Sequence, residues 1–165
     1  VGDAFEKKSL FLPQLLMSAD AAKAGFEIIK QAMLQKGTDR GKGDPVIVAT
    51  VKGDIHDIGK NIVKVLLENY GYDVIDLGKD VPPEAIVKKT LERDVKLVGL
   101  SALMTTTLGS MAETIQQLRK KAPGCRIIVG GAVMTKEYAE ELGADAYAGN
   151  AVAAVSYANA LFRNK

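Results

Sequence analysis

Apolar and polar positions change their period part-way along the chain. In the first stretch, Leu12, Leu15, Ala19, Ala22, Phe26, Ile29 and Met33 recur at spacings of three and four. That spacing predicts one face of a long amphipathic helix. Pro13 fits its first turn, where a missing N–H is harmless, and Phe5 through Leu10 reads as the end of an earlier helix. A single helix cannot hide such a stripe, so it must pack on the following domain, on a partner or on further helices. Gly37 to Pro45 holds three glycines, a proline and charged residues with no apolar member, and reads as a linker or a tight surface loop.

From Val46 onward, short apolar runs alternate with helical spacings. Val46–Val51 is a β-branched run with little polar interruption, as expected of a strand covered on both faces. A helix follows Gly59, with Ile62/Val63, Leu66/Leu67 and Tyr70 expected to face inward. Further strands are predicted at Val74–Leu77, Leu97–Leu100, Arg126–Val129 and Ala146–Tyr147. The helices between and after them are Glu84–Glu92, a run through Leu108, Met111, Ile115 and Leu118, Lys136–Leu142, and a run through Val152, Val155, Ala158 and Phe162. Strict alternation of strand and helix predicts an α/β domain built on a parallel sheet with helices on both faces. Five such units of this brevity suit a flavodoxin-like, Rossmann-like five-stranded sheet of order 2-1-3-4-5. The expected organisation is an N-terminal helical segment over residues 1–36, a linker over 37–45 and the α/β domain over 46–165. Ligands of such sheets bind beyond the C-terminal strand ends, near the point where strand order reverses. Lys52–Gly59, Ser101–Thr107 and Gly130–Met134 lie there, and they are the most polar and glycine-rich stretches of the domain.

Composition narrows the class without deciding it. The 165 residues allow one α/β domain and a small appendage, with 47% hydrophobic and 25% charged residues, an ordinary soluble balance. A formal charge of +2 gives no reason to expect nucleic acid or an anionic membrane as partner. The single cysteine, Cys125, excludes an internal disulfide framework and fits a reducing, cytoplasmic location; no motif around it marks a nucleophile. No apolar run approaches a membrane span and no signal peptide is recognisable. Val1-Gly2-Asp3 lacks an initiator methionine, so the chain is expected to be part of a longer product.

The first loop, V51-K-G-D-I-H-D-I-G59, carries the only histidine of the chain. A lone histidine is most often a surface or structural residue. Here Asp54 lies two residues before His56, and a metal-bound imidazole needs such an acceptor on its second nitrogen. Gly53 and Gly59 would permit backbone turns and the close approach of a bulky ligand. Zinc fits poorly, because it generally needs three or four protein ligands. Phosphate binding has neither a Walker nor a GxGxxG pattern behind it, and a phosphoacceptor domain would need an acidic pair at the end of strand one. A metal already held by its own macrocycle needs one protein ligand only.

D54-x-H56-x-x-G59, followed by S101-x-L103 and G130-G131, resembles the signature of the cobalamin-binding domain of methyltransferases. The strings VATVKGDIHDIGKNIV and VGLSALMTTTLGSM resemble the cobalamin domain of cobalamin-dependent methionine synthase. They also resemble the small corrinoid proteins of methylamine, methanol and methoxyarene systems. The resemblance extends over Phe5–Ile29 and so covers nearly the whole chain.

It implies that cobalamin binds base-off, with its nucleotide tail in a slot of the α/β domain and His56 as the lower cobalt ligand. Asp54 would accept a hydrogen bond from the far imidazole nitrogen, and Thr107, where the family usually has serine, would be the third relay member. Gly53, Ile55, Asp57, Ile58 and Gly59 would line the cofactor with the relay, and Leu103 and Thr105 would do so from the second loop. Ser101 would meet the displaced base, and Gly130 and Gly131 would be small because a ring passes against them, although a strand-end turn also explains a glycine pair. The T105-T106-T107 stretch departs from methionine synthase, which usually has proline in the middle, and leans towards a small corrinoid protein. Phe5, Leu12 and Leu15 match apolar positions of the helical cap over the methyl-bearing face, or belong to an ordinary helix–helix core.

The implied function is that of a corrinoid carrier, not a complete enzyme. Methyl groups would be accepted on cob(I)alamin and donated from methylcob(III)alamin, with the cofactor supplying the chemistry. The implied partners are a substrate-specific methyltransferase, an acceptor methyltransferase using tetrahydrofolate or a thiol, and a reductive activase. The rivals are an adenosylcobalamin mutase domain, which lacks the N-terminal helices, a cobalamin-sensing module, which would bring a DNA-binding segment, and a bare flavodoxin-like interaction domain.

Overall fold

The computed structural model describes residues 43–163 and, ahead of them, Phe11, Gln14, Met17, Ser18, Ala21, Ala24, Gly25 and Ile28. The chain divides into two compact units, Val1–Gly41 and Lys42–Lys165. In the first, the described positions from Gln14 to Ile28 are helical. Gln14, Met17, Ala21, Ala24 and Ile28, which alternate with the predicted apolar stripe, are all exposed. The stripe itself (Leu12, Leu15, Ala19, Ala22, Phe26, Ile29 and Met33) lies outside the described residues, as do Phe5 through Leu10 and the linker up to Lys42.

The second unit is a five-stranded parallel sheet of order β2-β1-β3-β4-β5, the flavodoxin-like order read from the sequence. Its strands are β1 Pro45–Thr50, β2 Asp73–Asp76, β3 Leu97–Ser101, β4 Arg126–Gly130 and β5 Ala146–Tyr147. The helices are α1 Ile58–Asn69, α2 Pro83–Glu92, α3 Leu108–Lys121, α4 Lys136–Glu141 and α5 Ala151–Arg163. β1 opens one residue earlier than expected, at Pro45, and Val51 forms only an isolated bridge, to Val81.

β1 and β3 sit centrally, and successive side chains point to opposite faces. Val46, Val48, Leu97 and Ile128 form one core with Leu67 of α1 and Ala154, Val155 and Ala158 of α5. Ile47, Ala49, Val98 and Ile127 form the other, with Ile86 and Val87 of α2 and Met111, Ile115 and Leu118 of α3. At about 25 cal/mol per Å² of apolar area, these two layers supply most of the drive to fold. The order reverses between β1 and β3, so their C-terminal ends form the switch point.

Two expectations for α1 fail. Ile62 and Tyr70 are about half exposed, because the buried stripe is centred on Leu67 with Val63 and Leu66 beside it. The helix also begins at Ile58, so Gly59 is a helical residue and makes no turn.

Candidate functional site

β1 ends at Thr50, and the chain turns through Gly53, whose φ of +85° only glycine adopts without strain. This turn drops Asp54 into the domain, fully buried, and lifts the half-exposed His56 ring above it. Asp54 Oδ1 accepts from the His56 backbone N–H at 2.9 Å and lies 2.8 Å from His56 Nδ1. Oδ2 accepts from the backbone N–H groups of Leu103 at 2.6 Å and Met104 at 3.2 Å. The loop after β3 therefore closes on the loop after β1 through one carboxylate. Burial by itself would raise the Asp54 pKa, but the amides of His56 and Leu103, the imidazole and the Met104 amide outweigh it. They hold the carboxyl well below the usual carboxylate range.

Thr107 closes a 3-10 turn, Thr105–Thr107, and is buried; its Oγ1 lies 3.1 Å from Asp54 Oδ2 and 2.8 Å from the Met104 carbonyl. One hydroxyl carries one proton, so Thr107 donates to one of these oxygens at a time. Asp54, His56 and Thr107 are thus brought together in contact, whereas Thr105 is exposed and does not reach the carboxylate.

The imidazole Nε2 has no hydrogen-bond partner among the described residues. Ile55 (63% exposed), Ile58 (64%), Leu103 (41%) and Met104 (42%), all within two residues of His56 or bonded to the same carboxylate, present apolar surface to solvent. Nothing stands within 4 Å of a Cβ built on Gly59. Asp57 precedes α1 without capping it by its side chain. Among the described residues, no group of three or more His, Cys, Asp or Glu side chains converges to hold a metal ion. His56 is a single donor in an apolar, open setting, which fits a metal that brings its own macrocycle.

Across the sheet, Thr50 pairs in register with Ser101, and Ser101 with Gly130. By alternation this row shares the α1/α5 face with Val48, Gly99 and Ile128. Gly131, at φ +130°, lies against the next strand end: a Cβ there would meet the Ala102 carbonyl oxygen at 1.8 Å. The backbone alone therefore requires this glycine, whatever else passes it.

Sequence reading missed three contributors. Asp80, at φ +55°, accepts the Gly53 N–H at 2.7 Å and donates its own N–H to the Asp54 carbonyl at 2.9 Å. Lys60 is almost wholly buried, pairing with Asp76 at 2.5 Å and with Asn61 at 2.8 Å. Thr50 is fully buried and its hydroxyl has no partner among the described residues. Aspartate's tolerance of left-handed backbone and the spacing of Lys60 from Asp54 offered no clear signal. Cys125 is buried among apolar neighbours, which pushes its thiol up to about 12 and leaves it inert.

The molecule is a flavodoxin-like α/β domain with one carboxylate-braced imidazole at its switch point, and its relatives give the family. A model of the B12 binding domain matches residues 45–156, and a second B12 binding domain model matches residues 1–30. The chain belongs to the B12-binding family. It is 42% identical over its whole length to dimethylamine corrinoid protein 1 of Methanosarcina mazei, covering 77% of that protein. Among solved structures, it matches a cobalamin-binding protein from Desulfitobacterium hafniense with TM-score 0.73 and 33% identity over 96% of this chain and 75% of that one. It also matches the methanol:cobalamin methyltransferase complex of Methanosarcina barkeri with TM-score 0.74 and 31% identity, over 99% of this chain and 62% of that one. Within the family, it is a cobalamin-binding corrinoid protein of methyltransferase systems. No helix among the described residues is long and apolar enough to cross a membrane.

Proposed function

We propose that this chain carries a methyl group on a corrinoid that His56 would hold by offering Nε2 to its cobalt. The observation that carries the reading is the Asp54–His56 contact: Nδ1 is occupied at 2.8 Å by a buried carboxylate, which leaves the half-exposed ring only Nε2 to offer. When bound, the corrinoid supplies a cobalt centre able to accept and donate a methyl group.

The protein's own part is to hold and release the imidazole. With Asp54 ionised, Nδ1–H donates to Oδ1, which fixes the tautomer and raises the basicity of Nε2. When the ring is released, Nε2 can take up a proton, and the ionised Asp54 then holds the charged ring through Oδ1 while Oδ2 stays braced by the Leu103 and Met104 amides and by Thr107 Oγ1. Asp54, His56 and Thr107 thus act as a relay. Ile55, Ile58, Gly59 and Leu103 offer the apolar seat, and Ser101 with Gly130 and Gly131 lines the slot for the nucleotide tail. Phe5, Leu12 and Leu15 are assigned to the upper-face cap, and residues 1–36, 37–45 and 46–165 to cap segment, linker and carrier domain. Partner enzymes supply the substrate and acceptor sites, with a reductive activase to restore the low-valent metal. Since relatives of about this identity are dimethylamine corrinoid proteins, a methylated amine is the first donor to test.

Purified protein is loaded with hydroxocobalamin and with methylcobalamin, and its visible spectra are compared with those of His56→Ala. A base-off, histidine-on spectrum that the variant loses supports the reading. A folded wild-type protein that binds neither form overturns it.

A further inference from the structure

Thr50 occupies an unusual position. Both its backbone groups are paired with the segment that follows β2: its N–H donates to the Gly78 carbonyl at 3.0 Å, and its carbonyl accepts from Val81 at 3.1 Å. Its side chain is fully buried, yet Oγ1 has no hydrogen-bond partner among the described residues. An unpaired buried hydroxyl is destabilising, and valine, nearly the same shape, would avoid that cost. The neighbours make the choice of threonine more pointed. One pleat earlier on this face, Val48 and Ile128 pack at 3.6 and 3.7 Å against the position a Cβ on Gly99 would take, so the sheet there is closed and apolar. In the last row the residues become Thr50, Ser101 and Gly130, small and mostly polar, at the switch point where a ligand enters an open α/β sheet.

We propose that Thr50 is a recognition residue for the nucleotide tail of the corrinoid: its hydroxyl, beside Ser101, pairs with a polar atom of that tail once the tail has parted α1 from α5. This inference rests on the corrinoid reading above and extends it to a residue at the floor of the slot. Threonine both donates and accepts, so it can meet a ring nitrogen or a ribose or phosphate oxygen. The unpaired hydroxyl of the cofactor-free chain is then the cost of a site prepared for its ligand.

The test compares two corrinoids that share the macrocycle, cobalamin and cobinamide, the latter without the nucleotide. Affinities of the full chain for each are measured by spectroscopic titration for wild type, Thr50→Val and Thr50→Ser, together with the melting temperature of each cofactor-free protein. Thr50→Val should weaken cobalamin about tenfold, the worth of one hydrogen bond, and leave cobinamide unchanged. Thr50→Ser, which keeps the hydroxyl, should stay within about twofold for both. Cofactor-free Thr50→Val should melt at or above wild type, since it loses an unpaired group. Equal loss for both corrinoids, no loss for either, or a lower melting temperature in Thr50→Val overturns the proposal. Failure of the wild type to bind cobalamin would instead overturn the corrinoid reading itself, before any variant is considered.

Discussion

Asp54 and Thr50 stand four residues apart at the end of one strand, and both are fully buried, yet their surroundings are opposite. Asp54 gathers three backbone amides, an imidazole and a hydroxyl; Thr50 Oγ1 gathers nothing. The first is a site whose hydrogen bonds are completed by the polypeptide itself. The second is left incomplete. Under the proposed function, their difference separates the group that braces His56 from the group that would meet the rest of the cofactor.

The largest effect should follow from breaking the completed half. Asp54→Ala leaves three amide donors without their acceptor, and chemical denaturation of the cofactor-free protein should show a loss of about 2–4 kcal/mol. Unfolding as a function of pH sharpens the same point. Because the folded-state pKa of Asp54 is held below its ordinary value, its contribution is complete above the usual carboxylate pKa of about 4 and is lost as pH falls towards the folded value. Stability of the wild type should therefore decline in acid more steeply than that of Asp54→Asn. Asp76 and Asp145, also lowered against the opposing effect of burial by their hydrogen bonds and basic partners, add to the decline in both proteins.

Asp80 should give a smaller effect. Asp80→Ala keeps the left-handed backbone without a residue suited to it and removes the acceptor for Gly53, a loss of about 1–2 kcal/mol. Asp80→Asn should restore most of that, and denaturant melts of the pair would show it. His56→Ala should cost less again, about 0.5–1 kcal/mol, because the half-exposed ring gives up one hydrogen bond to Asp54 while its backbone N–H persists in alanine. A folded protein that has lost histidine ligation is the separation that the comparison demands. Smallest of all, Cys125 should resist thiol reagents in the folded protein and react only on unfolding, as followed by mass spectrometry, since burial keeps it protonated.

The sequence made the sheet legible because β-branched runs such as PVIVAT and helix-spaced runs alternate without exception from Val46 onward. The Asp54–His56 contact was legible for a different reason: residues two apart, just after a glycine turn, meet through local geometry. The rest of the carboxylate's shell was hidden, since every residue carries a backbone N–H and nothing in the letters of Leu103 and Met104 says that theirs will converge. Ile62 and Tyr70 were misplaced because an apolar letter does not say how far it lies from the centre of a buried stripe. Lys60 looked like a surface lysine until the fold carried Asp76 to it. Thr50 read as one more β-branched strand residue, and only the packed structure reveals that its hydroxyl lacks a partner.

The central claim is that His56 binds the metal, and the chain's single histidine makes it directly testable. Protein grown with histidine carrying heavy nitrogen is loaded with cobalamin, reduced by one electron, and its electron paramagnetic resonance compared with that of unlabelled protein. The account predicts that each cobalt line, split into three by an ordinary nitrogen, becomes split into two on labelling. Splitting that ignores the label, or no nitrogen splitting at all, would contradict it.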